Sequence, residues 1–249
     1  MSTENISIRP YQASDAPQVQ AVLFNVFASG RGSVAQVAAH QFLYRIVMIT
    51  SYALSGCGFA LLYYLPRWNT IAGWIGVLLS FFAPGVYIWL ANLVSNSMKE
   101  FCEKALAKDM RDISQHYAAP GAFFVAVREA DADKKNEDAA KVKEVVGFIG
   151  LEYQPDKKTH TAEVRRLAVA RKYRRRGIAR QLVDKALEHA ASVRGLDFVE
   201  VGMMDIHPAA KRLFKSSGWE EKNITTEWTG FGESNVYHHR RAVETKKRR

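Results

Sequence analysis

Cysteine is scarce in this chain of 249 residues, because Cys57 and Cys102 are its two cysteines and could form at most one disulfide. That excludes a small fold held together by several disulfides. The sequence contains no internal repeat, and no group of cysteines and histidines has the spacing of a metal site, so we predict no metal. Hydrophobic residues make up 48% of the chain, which is too many for a disordered protein.

Acidic residues are outnumbered by basic ones. The chain has 35 lysines and arginines against 25 aspartates and glutamates, which leaves a formal net charge of +10. Such a balance indicates an anionic partner. Composition alone leaves three kinds of partner open: nucleic acid, an acidic membrane surface and a phosphorylated cofactor.

Charge is missing altogether from two long apolar stretches. No charged residue lies between Arg45 and Arg67, and the next charge after Arg67 is Lys99. A helix of about twenty residues spans the ~30 Å of a bilayer's hydrocarbon core. We therefore predict a transmembrane hairpin at residues 41–97, with helices at about 46–65 and 71–94 and a kink at Pro84-Gly85. The alternative is a pair of helices buried in a soluble core.

The charges around the hairpin predict its orientation. Lysine and arginine are more frequent on its flanks than in its turn, which carries Arg67 alone, so both termini should face the cytosol. Cys102, just past the second helix, could carry a palmitoyl group or remain a free thiol. The final Lys246-Lys247-Arg248-Arg249 resembles the dilysine retrieval signal of endoplasmic-reticulum membrane proteins. The alternative is a solvated basic tail without an address.

The polar remainder alternates between strand and helix patterns and predicts a mixed α/β sheet. Residues 1–40 and 98–242 would form one domain around the hairpin, followed by a basic tail at 243–249. A helix capped by Ser14 carries Val19, Val22, Leu23 and Val26 on one face. Further helices are predicted at 98–117, 178–194 and 208–217, and strands at 6–11, 122–128, 145–153, 159–169, 198–203, 224–229 and 235–241.

The segment Arg174-Arg175-Arg176-Gly177-Ile178-Ala179 joins a predicted strand to the most regular predicted helix. The free N–H groups of a helix N-terminus bind anions, and the small residues Gly177 and Ala179 let a pyrophosphate approach the main chain. Eight basic residues lie between Arg165 and Arg180. The alternative is a solvated basic face, or a patch that contacts nucleic acid or lipid.

Two patterns resemble the signatures of the GCN5-related N-acetyltransferase (GNAT) superfamily. Arg174, Gly177 and Ala179 match its acetyl-CoA motif, (Arg/Gln)-x-x-Gly-x-(Gly/Ala), and Ala210-x-x-Leu213-Phe214-x-x-x-Gly218-Trp219 is similar to its second signature. The resemblance implies a mixed central sheet flanked by helices and acetyl-CoA as the co-substrate. It further implies cofactor-binding residues at Leu167, Ala168, Val169, Arg174, Arg175, Arg176, Gly177, Ile178, Ala179 and Arg180.

The hairpin, the stretch from Lys108 to Ile113 and the following Pro120-Gly121 resemble the camello-like branch, whose members are membrane-bound N-acetyltransferases. The resemblance implies direct attack of a primary amine on the thioester. Glu163 matches the position of the catalytic glutamate in histone-acetylating members, which makes it the candidate general base. The alternative is a surface carboxylate paired with Arg165 or Arg166. Backbone N–H groups near Leu167 and Val169 would hold the oxyanion, where two strands part.

Phe214 departs from the family pattern, which has a tyrosine here to protonate the leaving thiolate. Asp205 and His207 are nearby candidates for this acid, and the alternatives are a strand-end aspartate and a helix-capping residue.

We expect a multi-pass endoplasmic-reticulum enzyme with a cytosolic catalytic domain. It would acetylate an amino acid, a cysteine conjugate or a protein lysine, with the lipid bilayer as a partner and no nucleic acid. Two other functions remain open: a membrane-anchored CoA-binding pseudoenzyme or scaffold, and a basic module that binds lipid or nucleic acid. No feature of the sequence predicts the oligomeric state.

Overall fold

A computed structural model describes residues 5–42, 46–64, 71–129, 143–154, 160–204, 206–229 and 232–243. Seven strands form one sheet in the spatial order β1-β2-β3-β4-β5-β7-β6. The strands are β1 (Asn5–Pro10), β2 (Ala122–Glu129), β3 (Lys143–Gln154), β4 (Thr161–Val169), β5 (Phe198–Met204), β6 (Glu220–Thr229) and β7 (Gly232–Ala242). β4 and β5 are parallel, and the other neighbouring strands are antiparallel.

The helices of the described residues are α1 (Ala16–Phe24), α2 (Val34–Phe42), α3 (Ile46–Tyr64), α4 (Ile71–Ser80), α5 (Phe82–Ala107), α6 (Ile113–His116), α7 (Ile178–Ser192) and α8 (Pro208–Ser216). A short π-helix at Asn25–Ser29 follows α1. The predicted mixed α/β fold is therefore confirmed, and the strand predictions agree with the observed elements to within a few residues.

The sheet has a core on each face, because alternate residues of a strand point to opposite sides. Phe123 and Val125 of β2 pack with α1 and α5, whereas Phe124 and Ala126 of the same strand pack with α7. All four apolar residues that the sequence assigned to one helical face after Ser14 are buried in the first core. The amphipathic helix α7 buries Leu182, Val183 and Ala186 in the second core, and Leu187 packs partly buried beside them.

Three helix predictions were wrong in their details. Ser14 does not cap α1: the N-cap is Asp15, whose side-chain oxygen accepts the backbone N–H of Gln12 at 2.9 Å. Helix α2 has no counterpart among the predictions. The predicted helix at 98–117 is two elements, because α5 continues from the apolar run to Ala107, and a new helix begins after Asp112 accepts the N–H of Gln115 at 2.9 Å.

The second apolar run is interrupted before Pro84, between α4 and α5. Proline lacks an N–H and clashes with the carbonyl four residues earlier, here that of Ser80, so the helix breaks one turn ahead of the predicted kink. A hydroxyl from α3 fills the break: Ser55 donates to the carbonyl of Leu79 at 3.0 Å and accepts the N–H of Ala83 at 3.0 Å. The freed backbone groups are thereby satisfied within the apolar segment.

In the part of the chain that the structure describes, one helical stretch, Gly73–Ala107, is long and apolar enough to cross a membrane, and 17% of its most apolar window is buried. Large apolar side chains of α3, α4 and α5 are exposed, among them Phe59, Trp74, Leu78, Ile88 and Trp89. The spanning role of α3 remains a prediction. Cys102 is fully buried in the core, which argues for the unmodified thiol and against a palmitoyl group.

Candidate functional site

Strands β4 and β5 pair with each other at their first residues and then separate. They pair at Thr161, Ala162 and Glu163, which lie opposite Phe198, Val199 and Glu200. β4 then continues to Val169 and β5 to Met204, and no register between them follows. The parting that the family resemblance implies is thus present, and it leaves a wedge-shaped opening in the middle of the sheet.

A bulge in β4 lies beside this opening. Phe148 of β3 pairs with Ala168, and Gly150 pairs with Arg165, so Arg166 and Leu167 together lie opposite Ile149. Arg166 has a φ of 57°, a left-handed conformation that costs a non-glycine residue roughly 1–2 kcal/mol. The bulge also shifts the alternation of side chains along β4. Val164, before the bulge, packs in the core beside α7, whereas Ala168, after the bulge, packs in the core beside α1 and α5.

The bulge determines which backbone groups face the opening. The N–H of Ala170 donates to the carbonyl of Val146 on the β3 side at 2.8 Å. Successive N–H groups of a strand point to opposite edges, so the N–H groups of Val169 and Leu167 point toward the departed β5. The two donors lie two residues apart, about 6–7 Å along the strand, so one of them could stabilise a developing negative charge while the other binds a neighbouring group.

The N-terminus of α7 lies directly after the basic loop. Its N-cap is Gly177, with a φ of 79°, and no side chain caps the helix. The first helical bond runs from the N–H of Gln181 to the carbonyl of Gly177 at 3.1 Å, which leaves the N–H groups of the first turn without helical partners. A Cβ atom added at Gly177 would meet only Gln181 Nε2, at 3.9 Å. The bare main chain and its donors fit a pyrophosphate.

The arginines of the loop have different roles. Arg174 points inward: its Nε donates to the carbonyl of Val169 at 3.1 Å, and its Nη1 donates to that of Gly32 at 3.0 Å. Its guanidinium thus ties the loop to the connection before α2. Arg175 is exposed with a φ of 67°, Arg176 lies over the ring of Tyr173 at 5.4 Å, and Arg180 is exposed.

Tyr173 anchors the same loop and was missed by the sequence analysis. Its ring is buried, and its hydroxyl donates to Glu144 at 2.6 Å and accepts from Arg128 at 2.9 Å. These bonds fix the loop to β2 and β3. No local pattern separates a buried tyrosine from the exposed arginines around it, although an aromatic residue inside a basic run is a weak signal of an anchor.

Three glutamates lie in register across the sheet: Glu152 on β3, Glu163 on β4 and Glu200 on β5. Glu163 pairs with Arg165 at 3.1 Å, and Arg165 also pairs with Glu152. The second arginine proposed as a partner of Glu163, Arg166, is bound to Asp109 instead. Burial raises the pKa of Glu200, but its bonds to Arg240 and Lys222 outweigh burial and hold the pKa below its ordinary value.

A second buried network contains Asp109, Arg166 and Tyr117. Arg166 donates through Nε to Asp109 Oδ2 and through Nη2 to Oδ1, each at 2.7 Å, and the Tyr117 hydroxyl donates to Oδ2 at 2.9 Å. Burial raises the pKa of the Asp109 carboxyl, but Arg166 outweighs it and keeps that pKa low. Burial and then the Asp109 charge raise the pKa of Tyr117. The pairing was not predicted, because 57 residues separate the partners.

Of the two candidate acids, His207 lies in the described part of the chain, just after the end of β5. His207 is the N-cap of α8 without a side-chain capping bond, and its ring centroid lies 6.4 Å from that of Phe27. Asp205 lies outside the described residues. Phe214 is 1% exposed and packs edge-on against Trp219, at 5.0 Å between ring centroids. Within the described ranges, no group of three or more His, Cys, Asp or Glu side chains could hold a metal ion.

A parted sheet beside a helix N-terminus that is open to phosphate is an arrangement that suits an enzyme which holds a phosphorylated thioester for acyl transfer. The model of the acetyltransferase (GNAT) family matches residues 90–219, which is just over half of the chain. The chain belongs to this family. Acetyl-CoA is accordingly its co-substrate, and its activity is acetyl-CoA-dependent N-acetylation.

Among proteins of known name, the chain is 24% identical over 231 residues to the N-acetylaspartate synthetase of Danio rerio, covering 90% of this chain and 70% of that one. It is 30% identical over 146 residues to the N-acetylaspartate synthetase of Homo sapiens, covering 57% of this chain and 43% of that protein. The fold matches Arabidopsis thaliana NAA60 in complex with acetyl-CoA, with a TM-score of 0.51, 11% identity and coverage of 96% and 99%.

We predict that Gly177→Asn raises the Michaelis constant for acetyl-CoA at least tenfold. Asparagine tolerates the left-handed conformation, so the chain can fold, but its side chain would lie over the N–H groups that the phosphates need. The matched control is Gly195→Asn, since Gly195 has a φ of 77° beyond the other end of α7 and open space around it. Steady-state kinetics of both variants test this, and an unchanged constant in folded Gly177→Asn would contradict it.

Proposed function

We propose that this chain is a membrane-anchored N-acetyltransferase that transfers acetyl from acetyl-CoA to the primary amine of a free amino acid. The observation that carries the proposal is the parting of β4 and β5 next to the uncapped N-terminus of α7. A thioester in that opening would have its phosphates at Gly177–Arg180 and its carbonyl near the N–H groups of Leu167 and Val169. Ala168 and Ile178 are buried and would shape the opening from its two sides.

The choice of an amino acid as acceptor rests on the relatives. The proteins of Danio rerio and Homo sapiens are both named N-acetylaspartate synthetase, and N-acetylaspartate is an acetylated amino acid. We therefore favour a free α-amino acid, and aspartate first, over a cysteine conjugate or a protein lysine.

Glu163 is the proposed general base. It lies at the last paired position of β4, at the mouth of the opening, and its side chain is 27% exposed. Its carboxylate is bound to Arg165 at 3.1 Å, which orients it at the edge of the opening. A carboxylate at this position could accept a proton from an incoming ammonium group.

The leaving thiolate has no tyrosine beside it, because Phe214 is buried against Trp219. His207 and Asp205 stay the candidates for its protonation, and a thiolate leaves readily enough that solvent could also supply the proton. The loss of the tyrosine is also the observation that favours the second candidate function, a CoA-binding scaffold without turnover.

The membrane anchor is proposed on the exposure of α3, α4 and α5. A core helix of a soluble protein would bury most of its apolar surface, whereas the apolar stretch that ends in α5 buries little of it. A bilayer is the solvent that fits this surface, because the helix break before Pro84 is satisfied internally by Ser55. We propose two spanning helices, location in the endoplasmic reticulum and a cytosolic catalytic domain.

Turnover by the purified full-length chain in detergent tests the proposal. We expect release of CoA from acetyl-CoA with aspartate or another free amino acid at least tenfold faster than with a lysine peptide, a polyamine or a cysteine conjugate. Binding of acetyl-CoA without release of CoA for any amine would favour the scaffold instead. Binding that depends strongly on salt and is not displaced by acetyl-CoA would indicate a basic lipid or nucleic-acid module.

Replacing the proposed base should lower the turnover rate without changing the affinity for acetyl-CoA. We predict that Glu163→Gln lowers kcat on the order of 10²–10⁴-fold and leaves the affinity for acetyl-CoA unchanged. The defect should shrink as the pH rises, because more of the amine is then unprotonated. Glu200→Gln is the matched control on the next strand, with an expected loss below threefold. A loss below threefold in Glu163→Gln at pH 7 would return Glu163 to a structural role.

A glycosylation sequence in the chain can show which side of the membrane the catalytic domain faces. Asn223 begins the sequence Asn-Ile-Thr, is exposed and lies on β6, an edge strand, so an oligosaccharyltransferase in the lumen could reach it. Asn5 begins a second acceptor sequence, Asn-Ile-Ser. We predict no glycan at Asn223 or at Asn5 in cells, and removal of the catalytic domain by protease added to intact microsomes. Asn223→Gln serves as the gel-shift control. Glycosylated Asn223, or protection until detergent is added, would place the domain in the lumen and exclude the dilysine interpretation.

A further inference from the structure

The bulge in β4 needs an external restraint. A non-glycine residue in the left-handed conformation is unfavourable, and Arg166 occupies that conformation at the point where two residues of β4 face one residue of β3. A strand without the bulge would present Val164 and Ala168 to the same face, whereas here they enter different cores. Whatever holds Arg166 therefore also determines the direction of every backbone group that follows in β4.

The side chain of Arg166 is held by groups from one region, the end of α5 and the segment after it. Asp109 accepts two parallel hydrogen bonds from the guanidinium, each at 2.7 Å, and Phe101 of α5 lies against it with the ring centroid 5.0 Å away. The Asp109 side chain is 2% exposed, and Tyr117 binds one of its oxygens at 2.9 Å. A bidentate pair fixes orientation as well as distance, which a single point charge cannot do.

We propose that Asp109 is a positioning residue for acetyl transfer: through Arg166 it fixes the bulge of β4, and thereby directs the N–H groups of Leu167 and Val169 into the opening, where one of them would bind the thioester carbonyl. The inference rests on the function proposed above. Asp109 itself would touch neither the cofactor nor the amine. Because Asp109 comes two residues after the last residue of α5, the helix that leaves the apolar segment also restrains the catalytic strand.

The chain contains a matched pair for comparison. Arg9 and Asp15 form the same bidentate arrangement, at 2.8 and 2.7 Å, and Asp15 is similarly buried. That pair joins β1 to the start of α1, at the edge of the sheet and three positions from β4 in strand order. It stabilises the fold without contacting the bulge. A variant of this pair therefore shows the effect of lost stability alone, with the backbone of β4 still correctly oriented.

The test compares Asp109→Asn with Asp15→Asn. Asparagine keeps the size of the side chain and loses one acceptor of the bidentate pair. We expect Asp109→Asn to lower kcat at least tenfold with the Michaelis constant for acetyl-CoA within twofold, because the phosphate site at α7 is untouched. Asp15→Asn should keep kcat within twofold at a similar loss of thermal stability. Arg166→Lys should behave like Asp109→Asn, since lysine keeps the charge but not the fork.

Hydrogen exchange supplies a readout that does not depend on turnover. Backbone amides of residues 166–169 should exchange faster in Asp109→Asn than in the unmodified chain, and should be unchanged in Asp15→Asn. If Asp109→Asn does not fold, the double variant Asp109→Leu/Arg166→Met removes both charges together, which buried ion pairs often tolerate. It should fold and show the same losses in exchange protection and kcat.

Two results would overturn the inference. One is a folded Asp109→Asn with kcat within twofold and unchanged exchange at residues 166–169. The other is an equal loss of kcat in Asp15→Asn, which would show that any buried pair acts through global stability. Failure of the proposed function is a different result: the unmodified chain would then release no CoA with any amine, while the exchange difference between the two variants would persist.

Discussion

The short parallel pairing of β4 with β5 is the constraint on which the rest of the site depends. Parallel strands need a crossover, and here α7 supplies it, so the N-terminus of α7 lies beside the edge of β4 that β5 leaves exposed. Buried backbone donors on that edge are costly unless something accepts their hydrogen bonds. The pantetheine arm of CoA carries amide groups and is narrow enough to lie between two strands. The arm would bind to the backbone groups of β4 that β5 no longer pairs with, and not to a dedicated set of side chains.

The loop before α7 is fixed by hydrogen bonds to the rest of the domain. Tyr173 is bound to Glu144 and Arg128, and Arg174 is bound to the carbonyls of Val169 and Gly32. The exposed Arg175 and the bare main chain at Gly177 are then presented on a fixed support. Some residues of the basic run thus anchor the loop, and others are left exposed for the anion binding that we propose. Which residues do which depends on the direction of each side chain, and composition does not contain that information.

Local patterns explain what the sequence could predict. Strand alternation, the apolar face of α7 and the start of α7 at Gly177 depend on neighbours within a few residues, and all three agree with the structure. Helix α2 was missed because it lies beside the first apolar run. The helix that contains the end of the second predicted span continues to Ala107, because no residue there breaks it. The partnership of Asp109 with Arg166 joins the segment after α5 to β4, and its two residues look like ordinary surface charges when read in order.

The two halves of helix α5 lie in different environments, and because the helix is continuous they cannot turn independently of each other. Its first half exposes Ile88 and Trp89, whereas its second half buries Met98, Cys102 and Ala105 in the core of the domain. At 26 residues it is about 39 Å long, and Asp109 follows it almost immediately. An anchor joined by a flexible linker would leave the domain free to turn. A shared helix instead ties the direction of the apolar segment to the strand that would hold the thioester, so the proposed membrane anchor and the opening between β4 and β5 would keep a constant orientation to each other.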